Sequence, residues 1–267
     1  METSQPEEKW AVKSFCKMAV YSIVAFLFVI WLCDTIMGRE FIENNISNYT
    51  NGLMITVFLT IGSFILGLIV SLPIAYMRMS CNILSRAAAY VYVYVFRGTP
   101  LIAQMFIIYY GLSSFSGVLR EAGIWFIFSN ALNCALIALS LNTAAYQAEI
   151  LRGAIMSVPK GQWEGAESLG LSRLCKMRTV ILPQALALAL RPYGNEFILL
   201  MKGSAIASII TIYDLMGMTR LIYSRTFDFQ AYIWAAIIYI GIIKVVQQVI
   251  EGINNRIVSH FHVGTIS

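Results

Sequence analysis

Charge is scarce in this sequence. Of 267 residues, 12% are Asp, Glu, Lys or Arg and 58% are hydrophobic, with mean hydropathy +0.71. A soluble domain carries about 25% charge. A fully water-exposed surface is therefore excluded, and most residues must face lipid or other helices. Metal and redox chemistry have little to work with. The two histidines flank Phe261, as His260 and His262, and read as surface residues. The five cysteines (Cys16, Cys33, Cys81, Cys134 and Cys175) form no CxxC pair and read as unpaired fillers. No HExxH or GxSxG motif occurs. Residues Gly165-Ala166-Glu167-Ser168-Leu169-Gly170 have the glycine spacing of a phosphate-binding loop. Leu171-Ser172 then stand where Lys and Ser/Thr are required, so terminal phosphates cannot be held. No catalytic residues and no metal site are expected, and a channel or transporter component outranks a membrane enzyme. Any ATP would be bound by another subunit. The net charge of +5 does not indicate nucleic acid, because the basic residues sit in loops beside apolar runs.

Those apolar runs are what the chain does have. After a polar start comes Met18–Met37, about 20 residues and enough to span a bilayer. The leading region is long and partly acidic (Glu7, Glu8, Lys9, Lys13), so an uncleaved helix is expected rather than a signal peptide. A polar loop, Gly38–Tyr49, should follow, then a second span over Leu53–Met77. Ser63, Gly67 and Ser71 stand four apart there, a row that lets another helix approach closely, and Pro73 should kink the helix near its end. The third span, within Ala87–Leu112, carries Phe96-Arg97-Gly98-Thr99-Pro100, where a bend is expected. Arg97 either lies deep, and then marks function, or snorkels to headgroups. The fourth span starts within 124–132 and reaches about Ile150. Its Asn142 and Thr143 either bridge helices or meet a polar solute. The fifth, Gln184–Met201, is expected to be interrupted by Arg191-Pro192 and Gly194-Asn195-Glu196. Broken helices at mid-depth line cavities. Glu196 could pair with Arg191. Gly203–Met218 reads as a re-entrant or outer-surface segment, and Tyr232–Val249 as the last span.

Between the fourth and fifth spans lies a basic loop. Over 152–178, five basic residues (Arg152, Lys160, Arg173, Lys176, Arg178) oppose Glu164 and Glu167, a net of +3. The positive-inside rule puts this loop in the cytoplasm. Six spans with both termini cytoplasmic also put Arg78, Arg86, the N-terminal lysines and the C-terminal tail inside, while the loop with Arg220 and Arg225 mildly violates the rule, offset by Asp214 and Asp228.

Residues 160–183 resemble the cytoplasmic loop of importer-type ABC transporter permeases. Its signature is EAA, three residues, G, nine residues, I, any residue, LP. Glu164-Gly165-Ala166 occupies the triplet, Gly170 the glycine, Val180 the isoleucine and Leu182-Pro183 the final pair. Gly165 and Val180 depart from the pattern. Residues 96–112, 141–172 and 181–201 are similar to the polar amino acid permeases, particularly the histidine and lysine/arginine/ornithine group, and the likeness covers about residues 53–255. The resemblance implies an all-α polytopic membrane protein of six transmembrane helices, five of them forming a type I core like that of the methionine and maltose permeases. The organisation would be 1–49 (N-terminal segment, extra helix and outer loop), 50–255 (permease core with coupling loop 152–183) and 256–267 (cytoplasmic tail).

The function implied is ATP-driven import of a polar, basic amino acid across a bacterial cytoplasmic membrane; the alternative is a stand-alone secondary transporter or channel for a small polar solute. A dimeric cytosolic ATP-binding cassette subunit would hold ATP and Mg, a soluble binding protein would deliver the solute from outside, and a second permease subunit would complete the pathway. Many relatives carry an acidic residue and threonine after the lysine at Lys202. This chain reads Lys202-Gly203-Ser204-Ala205, which favours a heterodimer over a homodimer. A helix near Gln162–Leu171 would dock on the ATPase, through Trp163, Glu164, Gly165, Ala166, Leu169 and Gly170. Trp163, Ala166, Leu169 and Gly170 would form one apolar face, and Glu164 and Glu167 would favour the dipole of its first turns. Asn142, Thr143, Asn195 and Glu196 would line the pathway, with Ser204 a lesser candidate. Arg97, Gly98 and Pro100 would brace the bend or meet the partner subunit.

Overall fold

A computed structural model describes residues 39–262 together with Val24, Trp31 and Thr35, with side chains through Arg256. Apart from those three residues, the expected first span, 18–37, lies outside the described residues, as do Lys9 and Lys13. Every regular element among the described residues is helical. In chain order they are α1 (Glu40–Arg78), α2 (Ile83–Gly98), α3 (Leu101–Phe106, running on through a π-helical turn Ile107–Gly111), α4 (Ser116–Glu121), α5 (Trp125–Phe128) and α6 (Ala131–Met156). Then come α7 (Lys160–Ser168), α8 (Arg173–Lys176, followed by a π-helical turn Met177–Ile181), α9 (Leu182–Gly203), a 3-10 turn Ser204–Ile210, α10 (Leu215–Thr226) and α11 (Gln230–His262).

Three of these helices, α1, α6 and α11, are long and apolar enough to cross a membrane alone. Two bent pairs meet that standard only jointly: Ile83–Gly98 with Leu101–Gly111, at 105°, and Arg173–Ile210 with Leu215–Thr226, at 48°. The described residues thus hold three spans, or up to five. The third expected span is a sharp corner rather than a bent rod. Pro100 sits as the extended residue opening α3, with φ −62° and ψ 134°.

Three other expectations are corrected. The outer loop at Gly38–Tyr49 is helical from Glu40, because nothing there breaks a helix. Glu40 and Glu43 occupy its first turn, and Phe41, Ile42 and Tyr49 pack against α10 and α11. The interruption expected at Arg191–Glu196 is absent: α9 runs unbroken from Leu182 to Gly203 with Pro192 inside it. Gly194 there serves close packing, since a Cβ on it would meet Ile250 Cγ2 at 2.4 Å. The last helix exceeds its expected limits of 232 and 249 at both ends.

The axis of the fold is α6. In its apolar window 61% of residues are buried, against 28% for α1 and 17% for α11. Helices α1, α2, α3 and α9 all pack on it. The close approach of α1 follows from its row of small residues. Ser63, Gly67, Ser71 and Ala75 are all buried, and a Cβ on Gly67 would meet Thr143 Cγ2 at 2.4 Å and the Ser140 carbonyl at 3.2 Å. Without a hydrophobic drive between helices in lipid, such close packing supplies much of the association energy. One core, around Leu59, Met105, Leu139 and Ile210, fills the middle. A second, around Leu151, Ile155, Val158 and Ile181, lies at the end carrying the 157–181 loop, called here the loop end. A third, around Tyr49, Leu215, Ile222 and Trp234, closes the opposite end.

The α1–α6 contact can be tested directly. Gly67→Val should destabilise the protein by about 1–3 kcal/mol through overpacking, read as a lower unfolding temperature in detergent. Gly98→Ala, whose added Cβ meets nothing within 4 Å, should be neutral. Equal unfolding temperatures for the two variants would contradict this packing.

Candidate functional site

The corner between α2 and α3 sets the first polar contact. In a helix the Phe96 carbonyl would accept from the N–H four residues on, but that residue is Pro100 and has none. Inside a membrane a freed carbonyl must find another donor. Gln104 Nε2 supplies one at 2.9 Å and Asn142 Nδ2 a second at 3.0 Å. Gln104 Nε2 also lies 3.1 Å from the Thr99 carbonyl and 2.8 Å from Thr99 Oγ1, and Asn142 donates to Gln104 Oε1 at 3.0 Å. Asn142 therefore ties α6 to the corner. Of the corner's other residues, Gly98 ends α2, and Arg97 in its last turn lays its guanidinium 5.0 Å from the Tyr146 ring centre.

Thr143, the next residue, points elsewhere. Its Oγ1 donates to Glu196 Oε1 on α9 at 2.7 Å, and Gln147 Nε2 donates back to Thr143 Oγ1 at 3.3 Å. Thr143 and Gln147 are fully buried and Glu196 is 7% exposed. Among the described residues no cation lies within ion-pair distance of Glu196, and the buried Gln147 Oε1 has no hydrogen-bond partner. Arg191, the expected partner of Glu196, is exposed. Asn195 is also exposed, on another side of α9 from Glu196. Ser204 is buried with its hydroxyl bonded to the Met201 carbonyl at 2.8 Å. The structure thus joins Thr143 to Glu196 but adds neither Asn195 nor Ser204 to them. Gln147 joins the cluster, and only the helical spacing from Thr143 to Gln147 could have signalled it.

At the loop end, α7 begins at Lys160 and stops at Ser168, earlier than expected. Gly170 causes the stop. It takes a left-handed conformation, φ +68°, its N–H donates to the Glu167 carbonyl at 2.9 Å, and the Leu171 N–H to the Ala166 carbonyl at 3.2 Å. This is a Schellman ending, which glycine alone adopts without strain. The expected single apolar face is therefore split. Ala166 is buried and Trp163 packs on the loop-end core, whereas Leu169, past the helix, is 78% exposed. The dipole expectation also fails, because Glu164 and Glu167 lie beyond the first turn. Glu164 and Gly165 are exposed, as is Leu174 at 78%, which sequence reasoning missed.

A strap holds α7 to the base of α9. Buried Lys176 is ion-paired with Glu167 and its Nζ lies 5.5 Å from the Trp163 ring centre. Its hydrogen bond and charge hold the Glu167 carboxyl below the usual range. Gln184 Nε2 on α9 donates to Gln162 Oε1 on α7 at 3.1 Å. Nearby, Glu149 on α6 accepts from Arg78 Nε at 2.7 Å and from Arg152 Nη2 at 2.8 Å. Arg78 and Glu149 stand 71 residues apart, so no local pattern announces that pair.

Comparison with known proteins bears on the family and the fold. Residues 67–259 match the family model of the binding-protein-dependent transport system inner membrane component. The chain is 44% identical over 196 residues to the nopaline transport system permease protein NocM of Agrobacterium fabrum, covering 73% of this chain and 81% of that one. It is 37% identical over 186 residues to the arginine ABC transporter permease protein ArtM of Haemophilus influenzae, covering 70% and 81%. The crystal structure of an amino acid ABC transporter with histidines superposes with TM-score 0.73 at 35% identity, over 82% of this chain and 99% of that one. The inward-facing MetNI methionine ABC transporter, at 19% identity and TM-score 0.64 over 80% and 98%, shares the fold. With its all-helical frame, its loop-end signature and these matches, the chain belongs to the family of binding-protein-dependent transport system inner membrane components, as a permease of the ABC importer type.

Proposed function

We propose that this permease carries a polar, basic amino acid into the cytoplasm, with Thr143, Gln147 and Glu196 as the polar station on its path. The observation that carries this is the Glu196 carboxylate, buried at the centre of the bundle and bonded to a neutral hydroxyl. An intramembrane carboxylate with no ion-paired cation among the described residues is costly unless it serves a proton or a cationic solute. The names of the relatives point the same way, since they are nopaline and arginine permeases. Asn142 holds the corner beside this station rather than contacting solute. Arg97, Gly98 and Pro100 shape that corner. Asn195 on its exposed side of α9 would suit contact with a second permease subunit, and a heterodimer is the assembly we favour.

In this reading the 157–181 loop faces the cytoplasm, as do both termini. Glu164, Gly165, Leu169 and Gly170, joined by Leu174, present themselves to a dimeric ATP-binding cassette subunit, while Trp163 and Ala166 anchor the helix from behind. That subunit supplies ATP and Mg binding, and a binding protein delivers solute outside. Two exposed leucines at the tip of an otherwise polar loop are apolar surface that a partner groove would cover.

Two measurements test the reading. Glu164→Lys with Gly170→Asp should abolish co-purification with the ATPase and ATP-driven uptake, while the permease still elutes as a folded species; survival of both would remove the loop from coupling. Glu196→Gln should lower uptake of L-arginine at least about tenfold, the scale of one lost charged hydrogen bond, with ATPase association intact. Unchanged uptake would take Glu196 out of the path.

A further inference from the structure

The Glu196 carboxylate is bonded to a neutral hydroxyl, yet a guanidinium stands nearby. Arg97 lies within electrostatic reach of Glu196 but not within ion-pair distance of it. Its guanidinium rests instead 5.0 Å from the Tyr146 ring centre, in the last turn of α2. Two effects favour that perch. A ring face attracts a cation, and the C-terminal end of a helix favours positive charge. Neither locks the side chain. Arg97 is exposed, stands next to Gly98 at the end of its helix, and makes no hydrogen bond or ion pair among the described residues. Tyr146 and Thr143 are three residues apart on α6 and so are neighbours along its surface. The perch and the Thr143–Glu196 bond therefore lie about one turn apart. A second carboxylate, Glu149, lines the same groove as Arg97, but it already accepts from both Arg78 and Arg152. Glu196 is the carboxylate near Arg97 that no cation has taken.

A long side chain with two places for its charge is a two-state element, and a ligand that needs one of those places shifts the balance. We propose that Arg97 competes with the solute for Glu196. It stays over Tyr146 while a cationic solute occupies the carboxylate, and it swings onto the carboxylate as the solute leaves. The proposal rests on the reading of Glu196 above and adds the means of release. A buried carboxylate facing a cationic solute alone attracts it strongly in the low dielectric of the bundle. A second cation within reach weakens that hold by like-charge repulsion. Once the solute has gone, the same cation spares the carboxylate an uncompensated buried charge. Arg97 touches no solute in this scheme and acts through Glu196.

The test is equilibrium binding to the whole transporter, with its second permease and ATPase subunits, in nanodiscs without binding protein. The probes are L-arginine and L-citrulline, which match in shape and differ in side-chain charge. Arg97→Gln should tighten L-arginine binding about tenfold, the scale of one removed like-charge repulsion, and leave L-citrulline binding unchanged. In proteoliposomes with ATP and binding protein, the same variant should lower both the KM and the maximal rate of L-arginine uptake, because release slows. Arg97→Lys, which keeps the charge, should restore both. A purely structural role for Arg97 does not tighten binding. Where Arg97→Gln fails to assemble, Tyr146→Leu decides. It removes the ring, frees Arg97 toward Glu196, and should weaken L-arginine binding about threefold. Unchanged L-arginine binding in these variants overturns the proposal alone. So does equal tightening of both probes, which signals loosened packing. Weaker L-arginine binding in Arg97→Gln also overturns it, since Arg97 would then serve to keep Glu196 charged. A wild type that binds the two probes equally removes the cationic reading of Glu196, and this proposal falls with it.

Discussion

Much of this structure answers one constraint: a backbone carbonyl inside a membrane must be given a donor by the protein itself. Pro100 frees the Phe96 carbonyl, and the chain repairs the loss with two side-chain amides, Gln104 from beyond the corner and Asn142 from the central helix. The repair has consequences. It fixes α3 at 105° to α2, sets the rotation of α6 about its axis, and places Arg97 over Tyr146. Because Asn142 is committed to the corner, its neighbour Thr143 necessarily faces another side of α6, where α1 and α9 pack.

That second side is shaped by small residues. Gly67 on α1 touches Thr143 so closely that any side chain would collide. Gly194 on α9 admits Ile250 in the same way. The helices come near enough for the Thr143 hydroxyl to reach the Glu196 carboxylate at 2.7 Å and for Tyr193 to donate to the Gln147 carbonyl at 3.3 Å. Hydrogen bonds of this kind between membrane helices contribute about 0.6–2 kcal/mol each, too little to hold the bundle alone. Packing sets the distance, and the polar contacts then select one register.

How far this was legible from residues depends on whether the cause was local. The corner at 96–100 was legible, because a proline after a glycine-containing turn acts through its own backbone. The Ser63–Gly67–Ser71 row was legible as a contact face for the same reason. The supposed break at Arg191–Glu196 was misread, although it shows the same residue types. Pro192 removes one hydrogen bond but can sit within a helix whose neighbours brace it, and Gly194 answers to Ile250, 56 residues later in sequence. The loop at 38–49 was misread as well, since polar composition does not break a helix and the contacts that order it come from α10 and α11. The loop helix was placed but not bounded. Its limit comes from the positive φ at Gly170, which the spacing of apolar residues does not reveal. Of the candidate site, Thr143 and Glu196 were both singled out but not as partners, since Arg191 was the expected partner of Glu196, and Asn195 is one residue from Glu196 and about 100° around the helix, which is why it faces away.

The correction to α9 matters for mechanism. A helix broken at mid-depth would flex there and absorb a push applied at its base. An unbroken helix carries the push along its length. At the base of α9, Lys176 grips Glu167 and the Trp163 ring of α7, and Gln184 grips Gln162. The loop helix and α9 are therefore tied by contacts that do not involve α6. Fourteen residues above Leu182, about 20 Å at 1.5 Å rise per residue, the same helix bears Glu196, whose partner Thr143 belongs to α6. The base of α9 thus joins α7 to the helix that bears Glu196, whose hydroxyl partner Thr143 stands on α6. In the coupling proposed above, the loop and the buried carboxylate would be linked through this one unbroken helix, with the Lys176 strap at its base.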